Sequence, residues 1–223
     1  MKKLCGSEAA ALLPVSNGII IIKKSVNQKE RYAVKYDLFS TETTRITPIS
    51  KTDFLLNKFG SCFERIASQI NGIYSTNTVL LPNGKVLAVD TEGKAYIFNS
   101  VGEKIRSFDM KYNDDAPSSI AFCGSKLYAA FANQNVILQY NPNTLGHQMR
   151  FGSPDTDTFQ KPIFICGHHD RLYICNAEND KITIFEPEKF SVTDYAEFKN
   201  PLIQYVRKHG RELVLLKSGV YLI

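Results

Sequence analysis

Three stretches of this chain repeat one pattern, and no other feature of the sequence restricts the fold as much. Lys85–Asp90 is followed by Lys94–Phe98, Lys126–Phe131 by Val136–Tyr140, and Arg171–Asn176 by Lys181–Phe185. Each stretch is a pair of short apolar runs joined by a polar turn. The closing aromatics Phe98, Tyr140 and Phe185 stand 42 and 45 residues apart. A period of that size marks an array of like units, none of which buries its apolar face without its neighbours.

Each unit reads as β-structure. The runs are rich in Val, Ile, Tyr and Phe and are bounded by Gly, Pro, Asn and Asp. Connections such as Asn179-Asp180 and Ser218-Gly219 suit tight turns. Pro117, Pro162 and Pro201 each open a further apolar run, at 119–123, 163–166 and 202–206, and Lys104–Phe108 and Gln148–Phe151 fit a fourth strand. The unit is therefore a four-stranded meander. Glu212–Lys217 with Val220–Ile223 supplies a last unit and Gly18–Lys24 with Arg31–Asp37 a first, which makes five. The expected architecture is an all-β propeller of five four-stranded blades, with six as the alternative, in a single domain over 1–223. The last unit stops after its third strand, and an unpaired edge invites aggregation. Lys2–Cys5 is the candidate strand to complete it, which sets the two ends of the chain side by side. Residues 39–70 break the spacing. Apolar positions at helical intervals in 53–59 and 63–67 predict a helical insertion, and the strand-like 43–49 leaves a degenerate blade open instead.

Composition enters mainly by exclusion. With 43% hydrophobic and 22% charged residues the chain is neither disordered nor fibrous. Its net charge of +5 resides in residues 1–70, which hold eleven Lys/Arg against six Asp/Glu. Five Cys, an odd number without C-x-x-C spacing, and the lack of any N-x-S/T sequon favour a reducing compartment. Glu8 interrupts the apolar stretch after Lys2-Lys3, against a signal peptide, and the longest aliphatic run, Ile19–Ile22, is too short for a membrane span. The expectation is a cytoplasmic protein without membrane association.

No compact catalytic motif is present: no G-x-S-x-G, H-E-x-x-H, Walker or dinucleotide fingerprint. Cys166-Gly-His168-His169-Asp170 is the densest set of potential metal ligands, but it aligns with Cys123-Gly-Ser-Lys of the preceding unit and reads as an inter-strand turn. His209-Gly210-Arg211 sits at the matching place of the last unit. The acidic pairs Asp114-Asp115 and Asp155/Asp157 lie between units, where turn chemistry accounts for Asp. No catalytic, cofactor-binding or metal-binding residue is assigned, and no cofactor is expected.

The repeats resemble the NHL repeat of tripartite-motif and related proteins. The resemblance covers about residues 72–223 and is carried by the proline-led inner strand and by Leu172–Phe185, in which Asn176 stands where the family has Asp and Lys181 where it often has Arg. Val89-Asp90 with Lys94 and Phe98 keeps the Asp on a shorter turn, and YVTN-like propellers share the local pattern. Such propellers are mostly binding platforms for proteins or RNA, and the resemblance implies that role here. The RING, B-box and coiled-coil parts have no counterpart in the sequence.

Two surfaces follow as candidates. The first comprises the turns between second and third strands: Asp90, Glu92, Lys94; Asn133, Gln134, Asn135; Glu178, Asn179, Lys181. Their mixed polar character suits a protein partner, and loops on a rigid scaffold are where recognition tends to reside. The second is a basic patch for RNA, Lys23, Lys24, Lys29, Arg31 and Lys35, with Tyr32 and Tyr36 interleaved. Strand alternation puts Arg31 and Lys35 on one face and the tyrosines on the other, which splits that patch. The expectation is thus a non-catalytic scaffold for an unidentified protein partner, with RNA binding or a metal-dependent propeller hydrolase as alternatives.

Overall fold

The computed structural model describes residues 1–15, 18–24, 31–37, 43–48 and 77–223. Strand β1 (Lys2–Cys5) opens the chain. It is followed by β2 (Ala9–Val15), β3 (Gly18–Lys24), β4 (Arg31–Asp37) and β5 (Thr43–Pro48), which form one antiparallel meander. The second meander is β6 (Thr78–Leu80), β7 (Val86–Val89), β8 (Lys94–Phe98) and β9 (Lys104–Asp109). The third is β10 (Ser119–Cys123), β11 (Lys126–Phe131), β12 (Val136–Tyr140) and β13 (His147–Gly152). The fourth is β14 (Pro162–His168), β15 (Arg171–Asn176), β16 (Lys181–Glu186) and β17 (Ser191–Glu197). The fifth is β18 (Leu202–Lys208), β19 (Arg211–Leu216) and β20 (Gly219–Leu222), and β1 is its outer strand. These are five four-stranded sheets among the described residues. The inner strands pack in the order β6, β10, β14, β18, β2, so each sheet is a blade laid against the next.

The expected closure holds. β1 pairs antiparallel with β20, Lys2 opposite Leu222 and Lys3 opposite Tyr221, so the last blade has no bare third strand. Gly219, at φ +136°, allows the close approach: a Cβ there would lie 2.2 Å from the Cys5 carbonyl oxygen.

Burial explains why a meander of this sequence needs neighbours. Every residue of β7 and β12 is buried, as a strand with one blade on each face must be. The apolar clusters lie between blades. Leu87, Val89 and Ile97 meet Leu127, Ala129 and Leu138. Tyr128, Ile137 and Phe151 meet Leu172, Ile174 and Phe185. Tyr173, Cys175 and Ile182 meet Tyr205, Val214 and Leu216. Val206, Leu213 and Leu215 meet Leu12, Ile19 and Ile21. Fully burying one such side chain stabilises by roughly 1.5–3 kcal/mol.

Polar inner-strand side chains tie blade to blade. The Ile165 amide donates to Ser119 Oγ at 3.2 Å across β10 and β14. Gln204 on β18 receives the Leu12 amide at 2.8 Å and donates to the Leu12 carbonyl at 2.7 Å. Both side chains are buried, so these bonds satisfy groups that water cannot reach.

Two local readings change, and one strand has no counterpart in the sequence reading. Ala9–Val15 is the inner strand of the first blade, although its Ala-rich run and Pro14 resemble no other inner strand. Thr43–Pro48, inside the irregular stretch 39–70, is the outer strand of that same blade, paired with β4; the proposed helices at 53–59 and 63–67 lie outside the described residues. The equivalence of Cys123 with Cys166 is displaced by two residues. Cys123 opposes Lys126, whereas Cys166 opposes Tyr173 and His168 opposes Arg171. The two strands end at the same position, and β14 is longer at its start, where Pro162 and Ile163 precede the residue matching Ser119. Near its end Gly167 lies against the backbone of Phe122, where any Cβ would fall 1.6 Å from the carbonyl oxygen. Among the described residues no helix is long and apolar enough to cross a membrane.

Candidate functional site

In a four-stranded meander successive turns alternate between the two ends of the blade. The candidate turns between second and third strands share their end with the blade-to-blade connections. There the side chains are largely committed within the molecule. Asp90 takes the amides of Glu92 and Lys94 on Oδ1, at 3.0 and 2.9 Å, and the Tyr96 hydroxyl on Oδ2 at 3.1 Å. Asn133 donates to Asp115 from its backbone and its side chain, and Gln134 accepts from Asn113. Asn135 Oδ1 takes the Lys161 amide of the next blade at 2.8 Å. Asp180 does the same for Leu202 at 2.8 Å. Asn135 and Asp180 are left-handed, with φ of 52° and 54°, so both turns end in a conformation that Asn and Asp tolerate and both reach across to the following blade. Asn179 closes its own turn on the Lys181 amide, and Lys181 Nζ is held by Asp194 at 2.8 Å and Glu197 at 3.6 Å. Glu92, Lys94, Asn133 and Glu178 are the exposed members of the set.

The basic patch is only partly brought together. Lys23 is half-buried and paired with Glu8 at 3.1 Å, and the Glu8 carboxyl is held below its ordinary value by its backbone hydrogen bond and by that lysine. The backbone sets Lys24 opposite Arg31 and Lys35 opposite Ile20. Lys29 lies outside the described residues.

The opposite end, with the turns between first and second and between third and fourth strands, carries a cleft of about 520 Å³. Its lining comes from the β14–β15 turn (His168, His169, Asp170, Arg171), from the β16–β17 connection (Glu186, Glu188, Lys189), and from Tyr173 and Arg207. That size falls in the range of small-ligand sites, about 300–1,000 Å³. Glu186 is the fixed point of the rim: Arg171 Nε meets Oε1 at 2.6 Å and Lys189 Nζ meets Oε2 at 2.7 Å. Both cations hold the Glu186 carboxyl below its ordinary value, with Lys189 the stronger influence.

The back of the cleft is the contact between the fourth and fifth blades. Tyr173 and Tyr205 stack at 5.1 Å, and Tyr195 meets Tyr173 edge-on at 5.3 Å. Arg207 lies over the Tyr173 ring at 5.7 Å and donates from Nη1 to the Tyr173 hydroxyl at 2.7 Å. The same Nη1 lies 3.4 Å from Glu212 Oε1, while Tyr195 donates to Oε2 of that carboxylate. Arg207 Nε is buried and has no hydrogen-bond partner among the described residues. The buried Tyr205 hydroxyl lies close to Glu212 and Tyr195 without an aligned bond to either, and burial pushes its pKa far up. Burial pushes the His168 imidazole down, and His169 and Arg207 push it the same way against an opposing pull from Glu212. The two imidazoles sit 4.2 Å apart.

Once the two-residue displacement is corrected, Cys123, His168 and Arg207 occupy one position at the ends of successive inner strands, each opposite the residue before a buried Leu. That alignment is the sequence signal for the cleft. Matching Cys166 with Cys123 sets His168 against Ser125 and hides that signal. Among the described residues no three His, Cys, Asp or Glu side chains are grouped to hold a metal ion.

A second feature of this end is Phe190. Among the described residues, the turns between third and fourth strands of the second, third and fourth blades each hold one left-handed residue: Gly102 at φ 81°, Leu145 at φ 61° and Phe190 at φ 53°. Glycine adopts that conformation freely, and a bulky side chain does so at a cost. Leu145 packs against the core between the second and third blades. Phe190 touches the Phe151 ring at 5.9 Å and remains 65% exposed.

No family profile and no curated protein matches the chain. Solved structures do. A streptogramin B lyase structure superposes on 99% of this chain and 70% of its own with a TM-score of 0.53 at 10% identity. The computationally designed Ika8 protein superposes on 96% of this chain and 58% of its own with a TM-score of 0.50, also at 10% identity. At such identity the likeness bears on the backbone and not on the chemistry. Together with the sheet topology it makes the chain an all-β propeller with five four-stranded blades among its described residues.

Proposed function

We propose that the chain is a non-catalytic binding propeller that docks a protein partner on the end of the molecule carrying Phe190 and the charged cleft. The observation that supports this reading is the contrast between Phe190 and its repeat equivalents. Gly102 meets the backbone requirement without strain, and Leu145 meets it with compensating burial. Phe190 has the strain and leaves most of its ring in water. A strained, exposed aromatic beside a rim of paired charges has the character of an interface anchor, where a few aromatic and Arg residues carry most of the binding energy. The exposed Glu92, Lys94, Asn133 and Glu178 offer a second, weaker surface at the other end. The NHL-like pattern of the repeats agrees with a platform role, and the reading assigns the chain no chemistry of its own.

Capture from native lysate by the wild-type chain, by Phe190→Ser and by a Glu92/Glu178 double alanine variant tests it, each with and without nuclease. The expected result is one protein retained by the wild type and the double variant, lost with Phe190→Ser, and indifferent to nuclease. Retention by Phe190→Ser overturns the docking face. Loss on nuclease treatment overturns the protein partner in favour of RNA.

A further inference from the structure

We propose that the end of the cleft bounded by His168 and Arg207 binds an oxyanion, the phosphate- or carboxylate-bearing end of a small ligand. This goes beyond the docking face and does not depend on Phe190. The cleft lining contains three carboxylates, three permanent cations and two imidazoles, so its selectivity depends on where they sit. Asp170 leans toward the third blade: a Cβ on Gly124 would lie 3.0 Å from its Oδ1. Burial, followed by the charges of Asp170, Cys166 and Glu188, pushes the Cys123 thiol up to about 12. Those two acids therefore mark the third-blade end of the cleft. Arg207, paired with Glu212, bounds the fifth-blade end beside His168.

Arg207 is built for the task. Its guanidinium is held in place by Tyr173 below and Glu212 beside it, both through Nη1. Among the described residues Nε–H is left buried and unpartnered, an arrangement that costs free energy and that a small shift of the guanidinium onto an acceptor in the cleft would relieve. A guanidinium presents its N–H groups as a planar fork matched to carboxylate and phosphate. Arg171 and Lys189 each use one bond on Glu186 and retain further donors at the rim. A bound anion reverses the field at His168 and favours the imidazolium, which then adds a second charge-assisted donor. Around His168 stand His169 and Asp170 of its own turn, Arg171 opposite it on β15, Arg207 of β18 and Glu212 of β19.

Sulfate is the suitable first probe, because its charge is the same at pH 6 and pH 8. Titration of the folded chain with sulfate and, separately, with acetate is followed through the His168 and His169 ring resonances in NMR. The expected result is a saturable shift of His168 with sulfate, tighter by several-fold at pH 6, and weakened about tenfold or more in Arg207→Gln. His168→Gln is expected to keep binding while losing its pH dependence, and it supplies the test should Arg207→Gln fail to fold. Saturation by acetate as well widens the site to carboxylates; saturation by sulfate alone assigns it to the phosphate class. Absence of saturation with either probe, or equal affinity in Arg207→Gln, overturns the proposal.

Discussion

Phe190 and Leu145 hold the same left-handed turn position in neighbouring blades, and what differs is where their side chains go. A non-glycine residue in that conformation costs about 1–2 kcal/mol. Glycine removes the cost at either place. At Leu145 it also removes apolar contact with the core between the second and third blades, whereas at Phe190 it gives up little beyond one tilted ring contact. Phe190→Gly is therefore expected to melt higher than Leu145→Gly, by a few degrees, since about 1 kcal/mol moves the midpoint of a domain this size by roughly 2–4 °C. Thermal denaturation of the two variants side by side measures it, and equal midpoints remove the case for Phe190 as strain kept for binding. None of this was legible in the sequence. A Phe before a Ser in a polar turn gives no sign of its φ, and the comparison with Gly102 and Leu145 needs the turns superposed. The nine candidate residues at the other end were legible as turns, but hydrogen-bond capacity that looks free in a sequence is mostly used inside the molecule. Asp90 spends both oxygens on its own hairpin and Asn135 spends its oxygen on the next blade, as does Asp180, which stands among the candidates without being one.

At the scale of elements, strands were readable wherever alternation and turn residues agreed. β11, β15 and β16 fall where the apolar runs and their bounding Asn and Gly predict them. β2 was not, because Ala-rich sequence with an internal Pro carries little strand propensity and is held by pairing with β3. Register was the other loss. Aligning Cys123-Gly124 with Cys166-Gly167 matched two glycines that do different work. Gly124 is a turn residue at φ 55°, whereas Gly167 is a strand residue that lets β14 cross the Phe122 backbone. A methyl group at 167 meets main-chain atoms, which move only with their strand. Gly167→Ala is thus expected to destabilise by at least the upper part of the roughly 1–3 kcal/mol typical of overpacking. Urea unfolding reads this as a lower midpoint at unchanged slope. A midpoint equal to wild type means β10 and β14 part more easily than their packing implies.

Completion of the fifth blade rests on one strand pairing that no covalent bond enforces. β1 comes from the opposite end of the sequence to β18, β19 and β20, so the fifth blade is completed by residues almost the full chain length away. Such a contact is late to reward the entropy of closing the loop, and folding of a sheet of this kind is slow for that reason. Leu4 and Cys5 pack on the cluster between the fifth and first blades, which includes Val206, Leu213, Leu215, Leu12 and Ile19. Removing residues 1–5 therefore does two things. It uncovers the β20 edge, with its unpaired backbone groups, and it thins the core that joins the fifth blade to the first. The fifth blade also supplies Arg207 and Glu212, which form the back of the cleft through Tyr173 and Tyr195. The truncated chain is accordingly expected to show faster hydrogen exchange across β18–β20, a lower melting temperature and concentration-dependent association, with the amides of β10–β12 less affected. A peptide bearing residues 1–8, added in trans, is expected to restore protection of β20 first, because Lys3 and Tyr221 are direct partners. Unchanged exchange in β20 after truncation means that the edge is covered by something other than β1, and the closure argument then fails for the solution state.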